Sequence, residues 1–165
     1  MYNKTLTFDT GVYKPMKKRA FILRGLPGGG KSTVARMIKL SIENDEPERP
    51  SLCKIVSTDD FFIDKDGVYQ FDPKLLGKYH AMALSSFIEA LQPESGVWAV
   101  ILDNTNTQTW EFSEYVKSAK EAGWDTQIIT VGQPKDDGHV IECAARNTHG
   151  VPLEAIQRMS KRFQP

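Results

Sequence analysis

The sequence predicts an α/β fold, a P-loop three-layer sandwich built on a parallel sheet. Three observations carry this. Short apolar runs alternate with segments of helical period along most of the 165 residues, the order that gives parallel strands joined by right-handed crossovers. A glycine-rich loop matching G-x-x-x-x-G-K-[ST] separates the first apolar run from the first helical segment. Polar clusters at 25–33, 58–60 and 103–106 each follow an apolar run. A parallel sheet gathers such clusters at one edge, beyond the carboxyl ends of its strands, where ligands bind.

Taken in order, residues 19–24 (RAFILR) form a short run of the buried-strand type and stop at the turn-rich loop 25–30. From Ser32 the period becomes helical, with Val34, Met37, Ile38 and Ile42 on one stripe. Residues 43–50 are acidic and proline-punctuated, a loop. Residues 54–57 make a second strand, ending in Thr58-Asp59-Asp60. The polar stretch 63–73, with Gly67, reads as a loop or lid, and 74–91 as a helix. The unbroken apolar run 96–102 is the strongest strand signal, of the kind buried on both faces. It ends in Asp103-Asn104-Thr105-Asn106. Residues 110–122 are helical with Gly123 as C-cap, 126–131 a fourth strand, and 139–147 a short helix. Pro152 opens a last helix at its first position, with Leu153, Ile156, Met159 and Phe163 on one side.

Lys plus Arg and Asp plus Glu are both 21, so the net charge is 0. That excludes a bulk polyanion binder of the histone kind and leaves a local basic site open. Residues 1–19 set five basic groups against Asp9, a local +4. Residues 146–165 set four against Glu154, a local +3. The basic segment 1–19 is read as a leader and 20–165 as the P-loop domain. Cys53 and Cys143 are too few for a disulfide framework and read as small buried residues of a cytoplasmic protein. No apolar stretch is long enough to span a membrane, no secretory signal opens the chain, and no Cys/His cluster has zinc spacing.

The loop residues Gly25, Pro27, Gly28, Gly29, Gly30, Lys31, Ser32 and Thr33 carry the clearest chemistry. Glycines let backbone amides approach a phosphate closely. With the N-terminus of the following helix, those amides make an anion nest. Lys31 reaches the β- and γ-phosphates, and the Ser32 hydroxyl ligates Mg²⁺. The expected cofactors are therefore ATP and Mg²⁺. No guanine-reading N-K-x-D segment occurs, and the length suits a small kinase. Such an enzyme needs a carboxylate to take the proton of the attacking hydroxyl and cations over the phosphates. Asp59 and Asp60 end the second strand; one serves as general base, or the pair is a turn or helix cap. Asp103 ends the most apolar strand, the place for a carboxylate holding Mg²⁺ through water, or for a turn-initiating Asp.

The order of motifs is more specific than the loop alone. GLPGGGKST is followed by STDDFF, by a G-x-Y-x-F-D stretch (Gly67, Tyr69, Phe71, Asp72), by DNTNT-x-x-W-E, and by ARNTHGVPLEAIQRMSKRF. Over residues 20–163 this resembles the compact P-loop kinases that include the 5′-kinase domain of phage polynucleotide kinase. It resembles still more closely the ATP-binding proteins related to the kinase domain of a ubiquitin-ligase-binding protein. The resemblance implies an adenylate-kinase-like fold with a helical lid and transfer of the ATP γ-phosphate to a hydroxyl, classically a polynucleotide 5′-OH. It implies Asp59 as general base, Thr105 and Asn106 as a pair near the acceptor, and Arg146 as a lid arginine over the nucleotide. The acceptor side would then hold Asp60, Phe62, Thr105 and Asn106. Two positions depart from that pattern: Phe62 and His149 stand where it has arginines.

Several residues have plainer readings. Phe61 and Phe62 follow a catalytic candidate, so one lines the acceptor pocket. Trp110 and Trp124 read as core, with stacking on a base as the alternative, His80 as a satisfied core histidine, and His149 as either a helix-end cation or a phosphate contact. Three functions remain in competition: a polynucleotide 5′-hydroxyl kinase, a kinase for another hydroxyl (a hydroxymethyl group on a modified base, or a small metabolite), and an ATP-binding regulatory module. The partners expected are ATP and a nucleic-acid or nucleotide acceptor.

Overall fold

The computed structural model describes residues 17–45 and 52–165; residues 1–16 of the leader expected at 1–19 and residues 46–50 of the loop expected at 43–50 lie outside them. Among these residues four parallel strands form one sheet in the order β2-β3-β1-β4. They are β1 (Arg19–Arg24), β2 (Cys53–Val56), β3 (Ala99–Asp103) and β4 (Asp125–Thr130). Five α-helices among the described residues pack with it: α1 (Lys31–Asp45), α2 (Leu76–Leu91), α3 (Thr109–Glu121), α4 (Asp137–Arg146) and α5 (Leu153–Arg162).

The central strands alternate between two cores, as a pleat requires. Ala20 and Ile22 of β1 and Val100 and Leu102 of β3 face α2 and α3, where Phe87, Phe112, Tyr115 and Trp124 fill the layer. Phe21, Leu23, Ala99 and Ile101 face α1, against Ala35 and Ile42. This is the predicted three-layer sandwich. A third cluster joins α4 and α5 to the phosphate loop through Leu26, Val140, Cys143 and Ile156.

The strand order places the site. β1 sends its chain through α1 on one face, and β3 sends its chain through α3 on the other. The connections after neighbouring strands β1 and β3 therefore part, which opens a crevice at their carboxyl ends. The two connections are tied by Gly25 N–H donating to Thr105 O at 3.0 Å and Asn106 Nδ2 donating to Leu23 O at 2.7 Å.

Several expectations need correction. α1 runs on to Asp45, and its buried line is Lys31, Ala35 and Ile42, so Met37 points to solvent. Pro152 is the cap of α5 rather than its first residue. Leu153 is largely exposed, while Ile156 and Phe163 carry the packing. Trp110 is 72% exposed, because it opens α3 on the side away from the sheet; Trp124 is buried as expected. His80 is exposed on α2 and is not a core residue; its Nδ1 lies 3.3 Å from Thr58 Oγ1. Both cysteines are free and buried. Among the described residues no helix is long and apolar enough to cross a membrane.

Candidate active site

The phosphate loop leaves β1 and turns directly into α1. Gly28 has φ +76°, and a Cβ there would fall 2.1 Å from Cys143 O. The loop is thus pressed onto α4, and only glycine fits. Gly30 has φ +92° with open space around its Cβ position. No described protein acceptor takes the amide N–H of Gly30, Lys31, Ser32 or Thr33. These are the orphan donors of a helix start, and here they face an open cradle, which suits the phosphates of a nucleotide. The Ser32 side chain is exposed at the same place.

Lys31 is only 9% exposed. Its Nζ donates to Leu26 O at 3.0 Å, curled back over the loop. Burial lowers its pKa, and the carboxylates of Asp103 and Asp59 pull it back up. One ammonium thus feels two of the three carboxylates singled out from the sequence. Asp103 is 8% exposed at the tip of β3. Asp60 has its pKa raised, first by burial and then by the charges of Asp103 and Asp59. Lys31, Asp59, Asp60 and Asp103 therefore share one electrostatic neighbourhood. Among the described residues no group of three or more His, Cys, Asp or Glu has the spacing of a metal cage. Mg²⁺ on a phosphate needs no such cage: one hydroxyl, one or two carboxylates and water suffice, and Ser32 and Asp103 are the residues here that could hold it.

Asp59 and Asp60 begin a short 3-10 turn, Asp59–Phe62, directly after β2. The preceding residue is fastened, since Thr58 N–H donates to Asn104 Oδ1 at 2.9 Å. Asp59 is exposed toward the crevice. Tyr69 donates its hydroxyl to Asp59 Oδ1 at 3.2 Å, and His149 Nε2 lies 3.9 Å from Asp59 Oδ2.

The other expected residues divide. Thr105 is half-buried, with its carbonyl on the phosphate loop. Asn106 is buried at φ 46°, its amide spent on Leu23 O and its carbonyl on Arg24, so it shapes the crevice floor and does not reach an acceptor. Phe62 is 3% exposed, enclosed by Tyr69, Phe71 and Tyr79 with ring centroids 4.7–5.9 Å apart. A ring so enclosed stiffens the loop and offers no face to an acceptor; of the pair, Phe61 is the less buried. Arg146 ends α4, exposed and paired with Glu142, and the structure does not bring it onto Lys31 or Asp59.

Two features are not evident from local sequence. Tyr69 shows only as part of the G-x-Y-x-F-D stretch. Arg24 reads as an ordinary strand end, yet it is 4% exposed. Its guanidinium lies between the rings of Phe112 and Phe163, 4.7 and 4.6 Å from their centroids. It donates to Asn106 O at 2.9 Å and Gln164 O at 2.6 Å.

A phosphate loop opening α1, a 2-3-1-4 parallel sheet and carboxylates at the tips of β2 and β3 define the fold of a P-loop kinase. The chain belongs to the family described as an AAA domain, which matches residues 21–165. NEDD4-binding protein 2 of Homo sapiens is 37% identical over 148 residues, covering 87% of this chain and 7% of that protein. The chain thus spans less than a tenth of that relative. Among solved structures, a chain of the Pnkp1/Rnl/Hen1 RNA repair complex superposes with a TM-score of 0.64 at 20% identity, over 93% of this chain and 46% of that one. Chaetomium thermophilum Kti12 in complex with ADP-AlF3 gives a TM-score of 0.60 at 17% identity, over 88% and 80%. These two likenesses show the fold.

Proposed function

We propose that this chain is an ATP- and Mg²⁺-dependent kinase that transfers the γ-phosphate to a hydroxyl acceptor, the 5′-OH of a polynucleotide. The observation that carries the reading is the helix start at Lys31, whose first amides have no described protein acceptor, set at the end of β1 in a sheet where Asp103 ends the adjacent β3 and Asp59 follows β2 beyond it. In this reading the loop 25–33 cradles the triphosphate, and Lys31 neutralises the β- and γ-oxygens. Ser32 and, through water, Asp103 would hold Mg²⁺, which supplies charge neutralisation on the phosphates when bound. Asp59, exposed just after β2, accepts the proton of the attacking hydroxyl. Arg146 would leave Glu142 to cover the nucleotide. Asp60 and Thr105 line the acceptor side. The polynucleotide acceptor is supported by the motif order from GLPGGGKST to ARNTHG. The two buried free cysteines and the absence of a membrane-length helix among the described residues fit a cytoplasmic setting.

A second reading has its own support. Residues 59–72 carry five aspartates (59, 60, 64, 66 and 72) against Lys65, and an arginine of the resembling pattern is replaced by the buried Phe62. Such a loop repels a phosphodiester strand and suits a less charged hydroxyl compound, such as a nucleoside or a hydroxymethylated base.

The test is transfer of labelled γ-phosphate from Mg·ATP to a 5′-hydroxyl oligonucleotide, to hydroxymethylated DNA and to nucleosides, with Lys31→Ala as the blank. The polynucleotide reading expects label on the oligonucleotide end, lost in the variant. Label only on the other acceptors moves the substrate to the second reading. ATP binding with no transfer to any of them contradicts the kinase.

A further inference from the structure

Two separate connections reach the proposed base, and neither belongs to the phosphate loop. Tyr69 stands in the connection between the 3-10 turn and α2, and its hydroxyl bonds Asp59 Oδ1 at 3.2 Å. His149 stands in the connection between α4 and α5. Its ring lies 4.4 Å, centroid to centroid, from that of Tyr69, and its Nε2 is 3.9 Å from Asp59 Oδ2.

The Tyr69 loop is held firmly. Ile63 pairs with Tyr69 in an antiparallel bridge, and Gln70 N–H donates to Phe62 O at 2.8 Å. Asp64 accepts from the amides of Asp66 and Val68 and from the Gln70 side chain. Phe62 packs 5.9 Å from the Tyr69 ring. The tyrosine therefore has one aromatic neighbour from its own loop and another from the α4–α5 connection. Asp59 has one oxygen within hydrogen-bonding distance of this assembly and the other beyond it. A carboxylate free to rotate offers either oxygen in many directions, whereas one tethered through Oδ1 aims Oδ2.

We propose that Tyr69 is a positioning residue: its hydroxyl fixes the Asp59 carboxylate so that Oδ2 meets the acceptor hydroxyl, and the His149 ring keeps Tyr69 in place. The proposal rests on the reading of Asp59 as general base. In the step it serves, the acceptor oxygen bonds to the γ-phosphorus and its proton passes to Asp59 Oδ2. The bond from that phosphorus to the bridging oxygen breaks, with the electron pair leaving on ADP. Tyr69 gives up no proton. Burial, the Asp59 charge and the hydrogen bond push its phenol up to about 12, so it remains a donor throughout the neutral range.

Tyr69→Phe tests this, because it keeps the ring against Phe62 and His149 and removes only the hydroxyl. The expected result is a fall of about 10- to 100-fold in kcat for labelled-phosphate transfer to the acceptor that the wild type uses, with KM for ATP and the thermal midpoint unchanged. In an Asp59→Asn background, where residual turnover is read with the same label, Tyr69→Phe should add nothing further, since it acts through Asp59. Wild-type kcat in Tyr69→Phe overturns the proposal, as does an equal loss in both backgrounds. If Asp59→Asn itself turns over normally, or the wild type transfers to none of the acceptors, the underlying reading fails and the proposal falls with it. If Asp59→Asn is inactive and Tyr69→Phe is normal, only the positioning role is lost.

Discussion

Three carboxylates near one ammonium are not equivalent. Asp59 has a tyrosine donor and Asp103 is packed at a strand tip. Asp60 has neither, and burial together with its two acidic neighbours raises its pKa. A carboxyl with a raised folded-state pKa favours the fold most below its unfolded value, near 3.9, and that contribution is lost as pH rises through the folded value. At pH 7 ionised Asp60 therefore costs stability. Asp60→Asn should raise Tm slightly at pH 7, and the gain should vanish near pH 3, where both chains are uncharged at this position. Thermal melts of the two chains across that range check the sign.

At the scale of elements, the crevice is kept in shape by contacts that reach across the sheet edge. Asn106 fastens the β3–α3 connection to β1. Arg24, at the end of β1, holds the same connection and the residues after α5 through the carbonyls of Asn106 and Gln164. Gln164 N–H donates to Thr107 O at 2.8 Å, and Arg162 Nε donates to Thr107 Oγ1 at 3.1 Å. Arg24→Met fills similar volume between Phe112 and Phe163 but leaves the buried Asn106 carbonyl without its Arg24 donor. Such a group costs about 1–3 kcal/mol, so the variant should lose about that much in urea unfolding. Stability equal to wild type would show the guanidinium to be dispensable.

The elements themselves were legible from periodicity and turn chemistry. All four strands and all five helices fall where the apolar runs and stripes put them, and the boundaries move by a few residues. Which side chains face inward was less legible. Met37 and Trp110 are large and apolar, yet the packing of α1 is decided by Ala35 and Ile42, and that of α3 by Phe112, Tyr115 and Ala119 on its other side. His80 shows the same limit, because an apolar helix does not say which of its faces the sheet covers. Asn106 and Phe62 were singled out by a motif order in which direct contact and support look alike. Arg24, Tyr69 and His149 act through contacts to residues 10–140 positions away in sequence, and no local pattern encodes such distances.

For the molecule as a whole, the strand order gathers one loop from each side of the sheet around Lys31, and the phosphate loop rests on α4 through Gly28 and Cys143. A nucleotide bound on the loop would therefore press on α4 and the connection that carries His149, which joins the ATP side to the acceptor side. In the proposed mechanism Asp59 takes the acceptor's proton while ATP is held elsewhere. The direct measurement compares wild type and Asp59→Asn for both Mg·ATP affinity and labelled-phosphate transfer to the accepted hydroxyl. Unchanged affinity and a loss of about 10²–10⁴-fold in transfer are expected. Transfer at the wild-type rate, or loss of ATP affinity in step with transfer, would contradict that mechanism.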